Sequence, residues 1–249
     1  MTKDKLYLST IDTNAQKTAK QYGLGLEIAE YCTAWNMDEK FRETDRLVQV
    51  KLTGILNRVL HAPFNELFPC AIDKKTRALA ADRYRQAIGI AKSYGATKVV
   101  IHGGYNPRIY YPVWYVEQSV LFWKAFLKED PGVEIVLENV LEETPNMLLD
   151  IMKGVNDPRL KLCLDVGHVN AYSEIPVMDW LAQWAPWVSH FHIHNNDGSA
   201  DLHKALTDGT VPIKDLLIHA EFMCPDATYT LELMEVEPSV RWLKENELL

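Results

Sequence analysis

Leu160 to His168 read LKLCLDVGH. Leucines at 160, 162 and 164 alternate with Lys161, Cys163 and Asp165, the period-two pattern of a strand. The run stops on an acid, and a glycine and a histidine follow within three residues. A carboxylate at the end of an apolar strand is costly to bury unless it is paired or faces a cation. Two questions follow: whether other strands end in the same way, and whether their ends meet.

Similar runs recur along the chain. KLYLS (5–9), GLGLEIAEY (23–31), RVLHAPF (58–64), TKVVIHGG (97–104), VEIVLEN (133–139), LKLCLDVGH, VSHFHIHNN (188–196) and ATYTLELME (227–235) make eight candidate strands. Helical patterns lie between them. Over 75–94, Ala80, Tyr84, Ala87, Ile88 and Ala91 share one face, and Gly95 is placed to end the helix. Over 112–128, Val113, Val116, Val120, Trp123 and Leu127 are expected on the buried face, with Asp130-Pro131-Gly132 as the stop. Eight strands alternating with helices predict an α/β fold, a (β/α)8 TIM barrel formed by residues 1–249 as a single domain. An open doubly wound sheet is the rival. It would show a glycine-rich phosphate turn after its first strand, and no GxGxxG is present.

In such a barrel the reactive groups sit at the C-terminal ends of the strands. The third to eighth strands end at His61, His102, Glu138, Asp165, His194 and Glu232, spaced 27 to 41 residues apart, one β/α unit each time. Two local segments extend the set: His168 follows Asp165 by three residues, and Asp201 and His203 follow His194 after the turn NNDGSA. A lone strand-end histidine is more often a hydrogen-bonded structural residue, and a lone acid often caps a helix. Six ligand-type residues in register are hard to produce independently. Nine nitrogen and oxygen donors exceed the needs of one ion and predict one to three divalent metals of the Zn, Mn, Co or Fe type. His192 lies one layer below the mouth, as a supporting donor, a substrate contact or a polar core residue. His190 is expected to be deeper and structural, and Cys163 to be core.

Bulk composition narrows the partners. The 249 residues are 47% hydrophobic and 24% charged, ordinary for a globular chain. A net charge of −8 with no Lys/Arg run disfavours nucleic acid. Four scattered cysteines read as reduced thiols. The N-terminus lacks an apolar signal core, and no apolar run approaches the ~18 residues of a membrane span. A cytoplasmic protein without a membrane partner is expected. Aromatic residues in 105–115 are expected on the surface, as a homodimer contact.

HAPF, VVIHGG, IVLEN, CLDVGH, HIHNNDGSADLH and TLE, taken in order, resemble the xylose isomerase-like TIM barrels, a superfamily that includes sugar and sugar-phosphate isomerases, epimerases and endonuclease IV. The resemblance runs from about residue 5 to residue 240. By endonuclease IV-like motifs it implies His61, His102, Glu138 and Glu232 at one metal. It implies Asp165 and His194, with the two glutamates, at a second, and His168, Asp201 and His203 at a third. By the epimerases, Glu138, Asp165, His194 and Glu232 hold a single metal. The chain departs from endonuclease IV at Leu202, where an arginine is usual, and at Leu206-Thr207-Asp208-Gly209, where one glycine of a pair is missing.

Three functions remain open at this point. The first is a metal-dependent isomerase or epimerase of a small carbohydrate or its phosphate. In it Glu138 and Glu232 exchange a proton beside a metal-bound carbonyl, and His168 holds a substrate oxygen. Arg108 is either its phosphate contact or an ordinary surface arginine. The second is an endonuclease IV-like phosphodiesterase acting at abasic sites, whose loops YNPRIYYPVWY and HAPFNELF would stack on bases. The third is a ligand-binding barrel that keeps its metals without catalysis.

Overall fold

The strands form early in each unit because an apolar run alternates with residues that fit a narrow interior. In the computed structural model, which describes residues 1–249, they are β1 Leu6–Ser9, β2 Gly25–Ile28, β3 Arg58–His61, β4 Lys98–His102, β5 Glu134–Glu138, β6 Leu160–Asp165, β7 Val188–Ile193 and β8 Thr228–Leu231. All neighbours pair in parallel, and β8 returns to β1, so the sheet is a closed barrel. Ten helices lie between and after the strands: α1 Ala15–Tyr22, α2 Ala34–Met37, α3 Phe41–Leu52, α4 Lys74–Ser93, α5 Pro112–Phe126, α6 Asn146–Val155, α7 Val166–Tyr172, α8 Val177–Trp184, α9 Ile213–Met223 and α10 Glu237–Glu245. Each of the eight runs read from the sequence contains one strand, and the expected TIM barrel is the fold.

Alternation splits the core in two. One set of residues, among them Leu8, Leu26, Leu60, Ile101, Leu137, Leu164, Phe191 and Leu231, points outward into the contact with the helices. The other set fills the barrel. Tyr7, Val59, Val100, Val136 and Cys163 form a separate buried apolar plug. The site residues sit two positions beyond plug residues on the same strand: Val59 then His61, Val100 then His102, Val136 then Glu138, Cys163 then Asp165. A period of two therefore puts all four side chains into one layer above the plug. Gly25 is part of the same packing. A Cβ there would meet the Tyr7 ring at 2.5 Å, so glycine leaves the room that the tyrosine fills.

Helix α4 buries Ala80, Tyr84, Ala87, Ile88 and Ala91 as expected, and Gly95 just beyond it is left-handed at φ 68°. The face of α5 differs from expectation in part. Trp123 and Leu127 are buried as expected and Val116 and Val120 are half-buried, but Tyr115, Ser119, Phe122 and Phe126 are buried too, and Val113 is 69% exposed. The helix is apolar nearly all round, and its larger aromatic rings take the core. The surface reading of 105–115 is also corrected. Tyr105, Tyr110 and Tyr115 are buried and Trp114 donates its indole N–H to the Cys70 carbonyl, which leaves Tyr111 as the exposed ring of that loop. The loop aromatics serve packing, and the surface they offer to a partner chain or to stacked bases is small. No helix is long and apolar enough to cross a membrane.

Gly25→Ala is expected to overpack the plug against Tyr7 and lower stability by about 1–3 kcal/mol. A denaturant midpoint shifted down at constant slope checks it.

Candidate metal centre

Strand ends bring the nine donors to one mouth. Glu138 ends β5 and Asp165 ends β6; His194 and Glu232 lie one residue beyond β7 and β8. Asp165 has two local tasks. Its Oδ1 accepts the backbone N–H of His168 at 2.6 Å and so caps α7, which explains the three-residue spacing in Asp165-Val-Gly-His168. The glycine in that motif is required by space, since a Cβ on Gly167 would stand 1.9 Å from the His194 ring. Asn139 steadies the same acid from β5. Its amide accepts the Asp165 N–H at 2.9 Å and donates to the Asp165 carbonyl at 3.0 Å, extending the ladder with a side chain.

The segment after β7 folds back through an antiparallel bridge between Asn195 and Lys204, with N–H···O distances of 3.0 and 2.8 Å. This bridge delivers His203, whose backbone is left-handed at φ 45°, onto His194, and the two rings stack 4.2 Å apart. Such strain in a residue other than glycine concentrates at functional sites. The retained Gly209 lies where a Cβ would strike Asn195 Oδ1 at 2.2 Å, so the surviving glycine of the segment is the one the bridge needs.

The donors fall into overlapping groups. Donor atoms of His61, His102 and Glu138 lie within 4.8 Å of one another, as do those of Asp165, His168 and His194, and those of His194, Asp201 and His203. His61 Nε2 is 3.2 Å from Glu138 Oε2, and His102 Nε2 is 3.5 Å from the same oxygen. His194 Nε2 is 3.1 and 3.2 Å from the two Asp165 oxygens. Asp201 Oδ2 stands between His168 Nε2 at 3.2 Å and His203 Nε2 at 3.1 Å. An ion holding such donors at about 2.0–2.2 Å sets neighbouring donors a little over 3 Å apart, so these spacings, which also suit His–carboxylate hydrogen bonds, would accommodate one.

Tautomers fit the same purpose. His61, His168 and His203 each direct Nδ1 at a backbone carbonyl, those of Ala62, Asn139 and Glu232, at 2.9, 2.8 and 2.8 Å. A carbonyl only accepts, so Nδ1 carries the proton and Nε2 turns to the carboxylates, as in metal-ligating histidines. Two buried atoms in the cluster, His194 Nδ1 and Asp201 Oδ1, have no hydrogen-bond partner. The field is strongly negative. Burial opposes charge on His168, but Asp165, Asp201 and Glu138 outweigh it and push the imidazole up to about 10. Burial likewise opposes charge on His203, and Asp201 and Glu232 carry it up to about 9. Burial dominates at His102 and takes it down to about 4. Glu138 is held well below the usual carboxylate range despite its burial, by His192, His102 and His61. The residues present fit a divalent cation.

His192 is expected one layer below the mouth, but it lies level with Asp165 in the strand register and, fully buried, joins the donors directly, its Nδ1 3.2 Å from Glu138 Oε1, 3.1 Å from Glu232 Oε2 and 3.7 Å from Asp165 Oδ2. His190 is deeper, bonded to Thr228 and Glu27. Arg108 is not brought to the cluster. It is exposed in its loop, with its backbone N–H on Asn106 Oδ1 and its guanidinium in no ion pair. Two buried residues escape a reading of the sequence. Glu27, inside GLGLEIAEY, points into the barrel beneath His192, and an acid between Leu26 and Ile28 is the available signal. Asn139, next to Glu138, leaves no comparable mark.

Known proteins resemble this chain in sequence and in fold. A family profile described as xylose isomerase-like TIM barrel matches residues 20–245. An uncharacterized protein of Methanocaldococcus jannaschii is 29% identical over 196 residues, 74% of this chain and 66% of that protein. Fructoselysine 3-epimerase of Shigella flexneri is 24% identical over 180 residues, 68% of this chain and 63% of the enzyme. The aligned part thus spans slightly less than two-thirds of these relatives. The structure of a Thermus thermophilus protein soaked with zinc chloride superposes with a TM-score of 0.78 at 25% identity, covering 97% of each chain.

Gly167→Ala is expected to displace the His194 ring and lower the number of divalent ions retained per chain, with far-ultraviolet dichroism unchanged. Elemental analysis of protein purified without chelator reads the difference.

Proposed function

The chain belongs to the xylose isomerase-like TIM barrel family, and from that premise we propose that it is a metal-dependent isomerase or epimerase of a small sugar or sugar phosphate. One observation carries the reading: Glu138 and Glu232, from strands β5 and β8, converge on a single nitrogen of His192. They form a pair of carboxylates brought together at the mouth end of the barrel. Likeness to an enzyme named fructoselysine 3-epimerase supports the same class.

Of the expected set Glu138, Asp165, His194 and Glu232, the three carboxylates would hold one cation together with His192, whose Nδ1 is 3.2, 3.7 and 3.1 Å from Glu138, Asp165 and Glu232, while His194 reaches Asp165 alone of the three; further ions would lie at His61 and His102 and at His168, Asp201 and His203. When bound, a divalent cation supplies Lewis-acid polarisation of a substrate carbonyl and stabilises the charge that develops there. The chain's own residues move the proton. One glutamate takes it from the carbon beside the carbonyl, and the other returns it to the neighbouring atom or the opposite face. Glu232 is the more open of the two, its side chain 14% exposed against 1% for Glu138, which places it nearer an entering substrate. His168 has its Nδ1–H committed to Asn139, so Nε2 is the atom left for a cation or a substrate oxygen. Asn139 and the α7 cap hold Asp165 still while this happens.

A second reading, phosphodiester hydrolysis, has one specific observation in its favour. Asp201 shares one oxygen between His168 and His203, so the third donor group is assembled as well as the other two. In the 105–115 loop read as a base-stacking surface Tyr111 is the one exposed aromatic ring, and this favours the sugar.

With Mn or Co bound, a panel of ketoses and ketose phosphates in deuterated water is expected to show exchange of a carbon-bound hydrogen for at least one member. Glu138→Gln and Glu232→Gln are each expected to reduce that exchange by about 10²–10⁴-fold. No exchange across the panel, together with cleavage of an abasic-site duplex, would move the assignment to the phosphodiesterase.

A further inference from the structure

Strand β3 runs out into His61-Ala62-Pro63-Phe64, and the last of these residues has no part in the chemistry proposed above. Phe64 is half-buried, and its ring lies flat on His102, with centroids 4.4 Å apart and planes 8° from parallel. The same ring meets His61 edge-on at 5.7 Å. The backbone that carries it is tied down. Ala62 N–H donates to the Val100 carbonyl at 2.9 Å, which takes the β3–β4 ladder one step past the strand. Phe64 N–H donates to the Cys32 carbonyl at 3.3 Å, and Leu67 N–H returns to the Phe64 carbonyl at 3.3 Å. Pro63, buried between them, fixes its own φ. A short, stiff segment therefore presents the ring to β4.

His102 depends on such a neighbour more than the other histidines of the mouth. His61, His168 and His203 are held by Nδ1–H bonds to carbonyls, and His192 and His194 by bonds to carboxylates. The His102 ring enters no hydrogen bond, and its ion-pair contact is Glu138 Oε2, 3.5 Å from Nε2. What surrounds it is rings: Phe64 on one face, His61 edge-on at 5.0 Å and His168 edge-on at 6.4 Å. The torsion that turns an imidazole is broad and two-fold in itself, so something outside the side chain has to set it. We infer that Phe64 is a positioning residue for the cation group of His61, His102 and Glu138, its flat face fixing the rotation of the His102 imidazole so that Nε2 stays aimed at Glu138. In metal-ligating histidines a hydrogen bond on the second ring nitrogen normally does this. Here a stacked ring takes its place, since stacked aromatic pairs prefer a defined relative plane. The inference rests on the functional reading above, which makes His102 a cation ligand.

The test measures cation affinity and needs no substrate. Co(II) is titrated into the metal-free chain against a chelator, with bound ions counted by elemental analysis and ligand geometry read from the visible absorption of the metal. His102→Ala identifies the ion that this histidine holds. Phe64→Leu and Phe64→Met keep an apolar side chain of similar bulk and remove the flat face; Phe64→Tyr retains it. The leucine and methionine variants are each expected to weaken the His102 ion by roughly 10-fold and to alter its cobalt spectrum, with the remaining ions unchanged and the tyrosine variant like wild type. If both variants keep wild-type affinity and spectrum, or lose the fold altogether, Phe64 is loop packing and the inference is overturned. If His102→Ala loses no ion, the inference is overturned and the functional reading stands on the cation of Glu138, Asp165 and Glu232. A wild-type chain that takes up no divalent ion overturns both. A chain that binds ions in the expected pattern but exchanges no ketose hydrogen overturns the functional reading alone.

Discussion

The constraint on which the rest of this molecule depends is the burial of negative charge at one end of a barrel. Glu27, Glu138 and Asp165 are almost without exposed surface, and Asp201 and Glu232 close the rim above them. Taking such groups out of water costs several kcal/mol each unless partners supply the lost solvation. The partners are imidazoles: His61, His102, His168, His192, His194 and His203 all lie within about 3.7 Å of at least one of these carboxylates. The histidines are raised or lowered according to whether carboxylate charge or burial wins at each, and the sum is a pocket that favours positive charge. A cation-binding centre is the economical reading of that field.

The barrel interior is divided by strand. Tyr7, Val59, Val100, Val136 and Cys163 fill it with apolar side chains, and Glu27 and His190 lie beside them in register with Val59 and Cys163. Two residues further on, β3 to β6 carry ligand-type residues. A carboxylate moved two residues toward the N-terminus of its strand would enter the plug, away from the imidazoles of the mouth. The strand register that lines up His102 with Glu138 and Asp165 with His192 therefore sets the chemistry as much as the residue types do.

Much of this is legible in the chain itself. The alternation in LKLCLDVGH and its relatives carries the strands, and because inward positions on parallel strands point to one axis, strand-end residues have to meet. That step needs no contact information, and the donors of all six strands and both appended segments do meet. The differences have a physical cause in common. The buried face of α5 is hard to assign because its apolar residues spread round most of the helix and leave a weak periodic signal, and ring size decides which side goes in. Tyr105, Tyr110 and Tyr115 look like surface residues because composition does not reveal which loop residues fold back under a helix. Glu27 is hidden because it stands inside its strand instead of at the end, and its partners, on β7 and β8, are remote in sequence. Arg108 cannot be placed from sequence, since a loop arginine has no periodicity to constrain it.

That remoteness has a consequence for how the protein is made. Thr230, which donates to Glu27, follows it by 203 residues. At a synthesis rate of about 5–20 residues per second, Glu27 leaves the ribosome roughly 10–40 seconds before its partner exists. During that interval β1 and β2 hold an acid that no neighbour can satisfy, so the N-terminal strands cannot settle into a dry interior by themselves. The arrival of β7 and β8 supplies the imidazoles and the hydroxyl and closes the sheet in the same event. Completion of the barrel and completion of the centre are one step, and a nascent chain that stops before β8 has neither.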